Sequence, residues 1–366
     1  MKITGFRLAR LRVPLKTPFK TALREVDAID DVVLLLDTDS GAVGYGSAPA
    51  TAMITGETHA SITEALAKHL APRLIGGDVS ELAALLAKVD AAMAHNSSAK
   101  AAANVALHDL AAQQAGVSLV RFLGGGDMRS LITDVTISVN DVAIMVSDTR
   151  DALALGFTAL KVKVGKVLTD DLARIRAIHA EVAGRATLRL DANQGWTPKE
   201  AVAALHAIEA QSIALELVEQ PVKGHDIAGL RFVREHSRTP VMADEAVFSP
   251  HDAQRVLDER AADILNIKLM KAGGLSGAAH IARIAAAHQV PCMMGCMLES
   301  SIGAAAAAHF AAAHSATVTL IDLDSPALGC FDPVDGNTRF EHAIIHLGDT
   351  PGLGIRGIAG LQWINP

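Results

Sequence analysis

The stretch Leu160-Lys161-Val162-Lys163-Val164-Gly165 places two lysines one residue apart within a short apolar segment. Residues of a β-strand alternate between its two faces, so Lys161 and Lys163 are expected on one face and the apolar residues on the other. Two ammonium groups side by side lower each other's affinity for a proton, which is one way to obtain a lysine that acts as a base. A surface strand with two solvated lysines would have the same pattern. The surrounding sequence therefore has to decide between the two.

Around this stretch, short apolar strands alternate with helical segments, as in parallel βαβ units. The predicted strands are 133–139, 160–164, 187–191, 214–219, 240–244, 264–268, 290–295 and 317–322. Eight evenly spaced parallel units favour an α/β fold of the (β/α)8 TIM-barrel type over an open sheet. We expect this barrel domain to span residues 126–325.

The sequence before the barrel predicts a separate capping domain over residues 1–125. Strand-like segments come first, and apolar residues then recur at helical spacing from about residue 59 to 115. An α+β domain is therefore expected. Two of its segments, 18–24 and 48–57, show neither helical nor strand periodicity and are predicted to be loops. Residues 326–366 are expected to pack back on this cap.

Carboxylates follow one another at three successive strand ends, as Asp191, Glu219 and Asp244. In a barrel these positions converge at the C-terminal mouth, where such folds place their chemistry. Three neighbouring carboxylates repel one another unless a cation lies among them. Because no histidine or cysteine ends a strand beside them, the ligands suit Mg²⁺, or Mn²⁺, better than zinc. Helix capping would explain any one of these carboxylates, but not their register with the lysine-bearing strands.

Lysines flank the three carboxylates, with Lys163 on the second predicted strand and Lys268 on the sixth. A metal between two opposed bases suits the removal of a proton from a carbon next to a carboxylate. A divalent ion would stabilise the negative charge of the resulting enediolate. Two bases on opposite faces then permit removal on one side and return on the other, so the sequence predicts a racemisation or an epimerisation.

The overall composition indicates a soluble protein that acts on small molecules. Half of the residues are apolar, the net charge is −7, and there is no long basic run, which argues against nucleic acid and membrane surfaces as partners. The three cysteines (Cys292, Cys296 and Cys330) form neither a metal-type pair nor a disulfide framework. The N-terminus lacks the apolar core of a signal peptide. A cytoplasmic location is therefore expected.

Five motifs together resemble the muconate-lactonising subgroup of the enolase superfamily. They are Lys161-Val162-Lys163, Asp191-Ala192-Asn193, Val218-Glu219-Gln220-Pro221, Ala243-Asp244-Glu245 and Asn266-Ile267-Lys268-Leu269. Sites of this superfamily pair a lysine base with Mg²⁺. The resemblance covers the whole chain, cap included, and implies the family's (β/α)7β form of the barrel. The resemblance identifies the subgroup but does not identify the reaction, because the subgroup also contains cycloisomerases, o-succinylbenzoate synthases and N-acylamino acid racemases.

The eighth predicted strand ends in Asp322-Leu323-Asp324, which puts two carboxylates on one face at the barrel mouth. Within the subgroup this pair resembles that of the dipeptide epimerases, which receives the N-terminal amine of the substrate. One of the two could instead cap the turn before Pro326. The resemblance further implies that the metal takes the substrate's C-terminal carboxylate, so that the α-carbon of the second residue is inverted.

Two further residues bear on the choice of dipeptide. Arg24, in the first predicted loop of the cap, resembles the arginine that Ala-Glu epimerases use for the glutamate side chain, although it could equally be a solvated surface residue. Leu298 would crowd the pocket of the first residue and favour alanine there, unless it belongs to the core. The reaction expected is the epimerisation of L-Ala-D/L-Glu in murein peptide metabolism, with Lys163 and Lys268 as the acid/base groups and Lys161 as a neutralising cation.

Several rival functions remain open from the sequence. An epimerase for other dipeptides is the nearest, followed by a muconate cycloisomerase or an N-acylamino acid racemase, for which Asp322 and Asp324 would have no ammonium to hold. A Schiff-base lysine enzyme such as an aldolase would leave the three carboxylates unexplained, and a metal-binding protein without activity would not need opposed lysines. The partners expected are a small dipeptide and further copies of the chain in a homo-oligomer.

Overall fold

The computed structural model of the chain describes residues 1–20, 25–127, 130–164 and 167–365. The strands are β1 (Ile3–Lys20), β2 (Glu25–Thr38), β3 (Val43–Pro49), β4 (Ser130–Ile132), β5 (Val135–Ile137), β6 (Ala159–Lys163), β7 (Thr187–Asp191), β8 (Leu217–Glu219), β9 (Val241–Ala243), β10 (Ile264–Lys268), β11 (Cys292–Gly295), β12 (Val318–Asp322), β13 (Val334–Asp335), β14 (Arg339–Glu341), β15 (Ile344–His346), β16 (Gly357–Ile358) and β17 (Gln362–Ile364).

The helices complete the inventory of regular structure. They are α1 (His59–Glu64), α2 (Leu82–Ala91), α3 (Ser97–Ala115), α4 (Leu119–Phe122), α5 (Val142–Ala154), α6 (Leu168–Val182), α7 (Pro198–Glu209), α8 (Ile227–Glu235), α9 (Pro250–Asp258), α10 (Leu269–Ala272), α11 (Leu275–Ala287), α12 (Ser301–Ala313) and α13 (Ser325–Leu328). Within the described residues, no helix has the length and apolar character needed to cross a membrane.

The N-terminal part is built on an antiparallel sheet with the strand order β17-β1-β2-β3. β1 and β2 pair from Ile3 opposite Thr38 to Lys20 opposite Glu25, with an irregularity in register between Pro14 and Phe19. The loop predicted at residues 18–24 is therefore wrong for residues 18–20, because cross-strand pairing extends both strands beyond the apolar run that marked them. Residues 21–24, including Arg24, lie outside the described part of the chain.

Helix α3 packs against β3 through two glycines on one face of the strand. A Cβ atom at Gly46 would lie 2.0 Å from the carbonyl oxygen of Ala102, and one at Gly44 would lie 2.5 Å from that of Ala106. Ala102 and Ala106 are buried on consecutive turns of α3. The helix thus approaches the sheet at a distance that leaves no room for a side chain at these two strand positions.

The barrel predicted from the sequence is confirmed. β5 to β12 form one parallel sheet in chain order, with a helix in each of the seven crossovers. β12 is followed only by the single turn α13, which gives the (β/α)7β form that the resemblance implied. Between β12 and β5, the backbone N–H of Asp134 donates to the carbonyl oxygen of Ile321 at 3.3 Å.

Two apolar clusters lie on the two faces of the barrel sheet, one between the strands and the helices and one inside the barrel. Leu160 and Val162 of β6 pack with residues of the surrounding helices in the large core. On the inner face, a smaller buried cluster fills the barrel below the strand ends and consists of Leu217, Met242, Ile264 and Met293, with Leu320 against it. Because strand side chains alternate, the next inward positions after Leu217, Met242, Ile264 and Leu320 are polar residues at the mouth, and the one after Met293 is Gly295.

The C-terminal segment contacts both parts of the chain. β17 pairs with β1, with Trp363 opposite Ala9, whereas β15 pairs with β4, with Ile345 opposite Leu131. β4 directly precedes the barrel. The domain limits proposed from the sequence, 1–125, 126–325 and 326–366, stay a prediction.

The contact between α3 and the sheet predicts the effect of a single methyl group. Gly46→Ala would place its Cβ against the carbonyl oxygen of Ala102, so we expect a loss of about 1–3 kcal/mol in the free energy of unfolding, measured by urea denaturation. Gly5→Ala, in β1 of the same sheet, is the matched control because its Cβ would meet no atom within 4 Å. We expect it to change stability by less than about 0.5 kcal/mol. Equal stabilities of the two variants would contradict the close packing described here.

Candidate active site

The paired lysines of β6 both point into the barrel mouth. Lys161 and Lys163 are buried, and they line a pocket between the barrel and the cap. The ring of Phe19, from the end of β1, lies 5.9 Å from the Nζ atom of Lys163. The alternation of the strand, together with the two apolar clusters beneath it, therefore directs both ammonium groups towards the same enclosed space.

The three strand-end carboxylates lie on neighbouring strands of the barrel. Asp191 and Glu219 are directly opposite each other in the ladder between β7 and β8, and Asp244 follows the last residue of β9. All three are at most 1% exposed. The structure thus places these three residues at adjacent strand ends of the barrel, and their role as metal ligands stays a prediction.

Lysine ammonium groups lie against these carboxylates from both sides. Lys163 donates to Oδ2 of Asp191. On the other side, Lys268 donates to Oδ2 of Asp244 at 2.8 Å, and its Nζ lies 3.9 Å from Oε1 of Glu219. Lys163 on β6 and Lys268 on β10 therefore flank the carboxylate-bearing strands, as the order of strands in the sequence suggested.

The protonation of this cluster is governed by burial and by mutual charge. Burial, followed by the neighbouring charge of Asp191, raises the pKa of Glu219 to about 8. Burial would lower the pKa of Lys161 and of Lys268, but the surrounding carboxylates outweigh it and raise both. The mutual lowering expected of adjacent lysines is thus overcome at Lys161, because Asp322 and Glu219 stabilise its charged form.

The donor set fits a hard divalent cation. All of its ligand atoms are carboxylate oxygens, and Oε2 of Glu219 is buried without a hydrogen-bond partner. Across the described ranges, no group of three or more acidic, histidine or cysteine side chains has an arrangement that could hold a metal ion. The ammonium groups of Lys163 and Lys268 instead contact Asp191 and Asp244. Burial is the first cause of the raised pKa of Glu219 and the charge of Asp191 the second, and a cation among the carboxylates would compensate that charge.

The two carboxylates of the eighth strand differ in their contacts. Asp322 accepts a hydrogen bond from Lys161, whose Nζ also lies 3.7 Å from Oε2 of Glu219. Asp324 accepts a hydrogen bond from the backbone N–H of Thr136 at 2.7 Å. Its side chain makes no capping hydrogen bond to α13, so the alternative of a helix cap is wrong for this residue. Both carboxylates line the pocket.

Apolar residues cover the pocket from the cap and from the barrel loops. Those that line it are Phe19, Met53, Ile54, Met297, Leu298 and Leu328. Leu298 also packs with Val13 and Leu15 of β1 in a small buried cluster. The sequence left open whether Leu298 belongs to the core or to the pocket. In the structure its side chain belongs to both.

Sequence reasoning missed several polar residues that contact the proposed ligands. Asn266 donates from Nδ2 to Oε1 of Glu219 at 2.7 Å, and Oε1 of Gln220 accepts the backbone N–H of Asp244 at 2.9 Å. Lys271 donates to Oδ1 of Asp244. The period of two along β10 placed Asn266 on the face of Lys268, and a single helical turn placed Lys271 beside it. These signals were present but unused.

Comparison with known proteins identifies the family. The model of the mandelate racemase and muconate lactonizing enzyme N-terminal domain matches residues 3–124, and the enolase C-terminal domain-like model matches residues 144–357. An L-Ala-D/L-Glu epimerase of Clostridium acetobutylicum is 46% identical over 98% of this chain and 99% of the relative.

Solved structures agree with this comparison. A substrate-liganded complex of the L-Ala-D/L-Glu epimerase from Bacillus subtilis has a TM-score of 0.96 and 45% identity, and it covers 98% of this chain and 100% of that one. The dipeptide epimerase from Enterococcus faecalis, complexed with Mg and L-Leu-L-Tyr, has a TM-score of 0.93 and 38% identity, with 97% and 99% covered. The chain described here therefore belongs to the enolase superfamily, with the two-domain organisation of the mandelate racemase and muconate lactonizing enzymes.

Proposed function

We propose that this protein epimerises dipeptides at the α-carbon of the C-terminal residue, and that L-Ala-L-Glu and L-Ala-D-Glu are its preferred substrates. The observation that carries the proposal is the placement of two buried lysines, Lys163 and Lys268, on opposite sides of one pocket that also contains Asp322 and Asp324. The names of the relatives in Clostridium acetobutylicum and Bacillus subtilis support the same substrate.

The two lysines would exchange protons with the substrate. The lysine on one side, in its neutral form, takes the α-proton of the second residue. The ammonium group on the other side then delivers a proton to the opposite face of the same carbon. After one turnover the configuration is inverted and the two lysines have exchanged protonation states, so the reverse reaction starts from the product. Lys161 would add positive charge next to the reacting carboxylate.

Asp191, Glu219 and Asp244 would hold Mg²⁺, which structures of related dipeptide epimerases contain. When bound, the ion would supply electrostatic stabilisation for the negative charge that develops on the substrate carboxylate. Mn²⁺ offers the same preference for oxygen ligands and is proposed as an alternative.

The substrate ammonium would bind at Asp322 and Asp324. Lys161 already donates to Asp322, whereas Asp324 accepts a hydrogen bond from the neutral backbone N–H of Thr136. Of the two, Asp324 is therefore better placed to attract a second cation. A charge-assisted hydrogen bond between ammonium and carboxylate is stronger than a neutral one, which would favour free dipeptides over N-acylated amino acids.

The finer parts of the assignment depend on sequence observations. Arg24 would contact the glutamate side chain, and Leu298 would limit the size of the first residue. Murein peptides in the cytoplasm are the proposed source of substrate, and the three free cysteines support that compartment. The relative from Enterococcus faecalis, complexed with L-Leu-L-Tyr, keeps an epimerase for other dipeptides as the second candidate. A homo-oligomer stays a prediction, which a measurement of the molar mass in solution by light scattering would test.

Isotope exchange tests the roles of the two lysines. Proton NMR in D₂O with Mg²⁺ should show deuterium entering the α-position of the second residue of both L-Ala-L-Glu and L-Ala-D-Glu. Lys163→Ala and Lys268→Ala should each slow epimerisation by about 10²–10⁴-fold, because each removes one of the two proton carriers. Each variant is expected to retain exchange from at most one epimer. Lys199→Ala, at an exposed lysine of α7, is the control. Undiminished exchange from both epimers by Lys268→Ala would refute the two-base mechanism.

The role of Asp324 can be separated from that of the catalytic lysines by comparing substrates. Asp324→Asn should lower kcat/KM for L-Ala-L-Glu by about 10- to 100-fold, equivalent to the roughly 1.5–3 kcal/mol of a hydrogen bond to a charged group. Asp258→Asn, an exposed site on α9, should have no effect. If N-succinyl amino acids exchanged faster than any dipeptide, and Asp324→Asn left that rate unchanged, an N-acylamino acid racemase would replace the present proposal.

A further inference from the structure

A fourth buried lysine lies beside the three that line the pocket. Lys271 belongs to α10, one helical turn after Lys268, and it is 2% exposed. It is not among the described residues that line the pocket, which include Lys161, Lys163 and Lys268. A charged side chain enclosed to this extent is rare unless it is paired, so its partners should explain its presence.

The ammonium group of Lys271 is saturated by oxygen acceptors. It donates to Oδ1 and to the backbone carbonyl oxygen of Asp244, and to the carbonyl oxygen of Asn266 at 3.1 Å. The ring of Phe248 lies 5.6 Å from its Nζ atom. A lysine has three N–H donors, and these three acceptors occupy them all. Lys271 thus has no donor left for a substrate and cannot take the part of Lys163 or Lys268.

The two contacts with Asp244 restrain both ends of that residue. One ammonium group bonded to the backbone oxygen and to a side-chain oxygen of the same aspartate fixes the torsion angle that joins them. Oδ1 is therefore held by Lys271, and Oδ2 is the oxygen that faces Lys268 at 2.8 Å. The adjacent lysines divide the carboxylate between them, one oxygen each.

Because of this division, the ammonium group of Lys268 can move away from Asp244, and the buried carboxylate of Asp244 still has a cation beside it. If Lys268 were the sole cation at Asp244, moving its ammonium group towards a substrate would separate a buried ion pair, which is costly. With Lys271 in place, Asp244 keeps an ion-pair partner at Oδ1 wherever the Lys268 side chain lies.

We propose that Lys271 is a positioning residue, which holds Oδ1 and the backbone carbonyl oxygen of Asp244 and thereby orients Oδ2 towards the metal position and Lys268. This inference rests on the proposed function, because it assumes that Asp244 binds Mg²⁺. Partners of metal-ligating carboxylates fix the orientation of the ligand, and their loss typically weakens metal binding or activity by about 10- to 100-fold.

Mg²⁺ binding tests the proposal without use of a substrate. MgCl₂ is titrated calorimetrically into the full chain after treatment with EDTA, for the parent, Lys271→Met, Lys271→Gln and the control Lys199→Met. Methionine preserves length and removes the charge, whereas glutamine retains a shorter donor. We expect the Kd for Mg²⁺ to rise by about 10- to 100-fold in Lys271→Met and by less in Lys271→Gln, with Lys199→Met unchanged.

Each other result has a distinct meaning. A Kd within twofold of the parent in a folded Lys271→Met protein would overturn the positioning role and leave the proposed function intact. Failure of both variants to fold by circular dichroism would assign Lys271 to stability alone and would overturn the role as well. A parent protein that binds no Mg²⁺ would refute the proposed function itself.

Discussion

The constraint on which the site depends is the compensation of buried negative charge. Asp191, Glu219 and Asp244 meet at the mouth of the barrel with almost no exposure to water, and such a set cannot remain ionised without nearby cations. Buried lysines on both sides of the three carboxylates supply part of the positive charge that is needed. The same arrangement suits proton transfer, because groups placed to neutralise carboxylates also surround the space where a substrate carboxylate would lie. Stability and chemistry therefore impose the same requirement on these positions.

The barrel and most of the candidate site could be predicted because they depend on local rules. A period of two fixes the face of each strand residue, and parallel strands bring their carboxyl ends to one edge, so strand-end residues such as Asp191 and Lys268 converge without any knowledge of packing. The pairing of Lys20 with Glu25 was missed, since cross-strand hydrogen bonds extend β1 and β2 past their apolar residues. The helical spacing of Lys271 from Lys268 was visible in the sequence, but its hydrogen bond to Asp244 was not, because Asp244 lies far from it in the sequence, after β9.

The pocket is completed by residues whose positions depend on contacts between distant parts of the chain. Leu298 follows β11, yet it packs with Val13 and Leu15 of the N-terminal sheet. A change in the packing of the cap would therefore reach the wall of the pocket directly. In this architecture the barrel carries the lysines and carboxylates of the pocket, and Phe19, Met53 and Ile54 of the cap cover it. Substitutions in the cap would therefore reshape the pocket and leave the lysines and carboxylates untouched. Relatives of this chain that are named as L-Ala-D/L-Glu epimerase and as hydrophobic dipeptide epimerase are consistent with that separation.

The pairing of β17 with β1 also orders the events of biosynthesis. β1 is made before the barrel, but its neighbour on one side, Gln362–Ile364, is made after it. Domains that are contiguous in sequence can fold as they emerge from the ribosome, whereas this sheet can acquire its fourth strand only after the intervening barrel has been translated. Until then the outer edge of β1 presents unpaired backbone groups, which is the kind of surface that joins strands of other chains. A nascent chain of this fold would thus benefit from a chaperone that covers the edge of β1 while the barrel is being made.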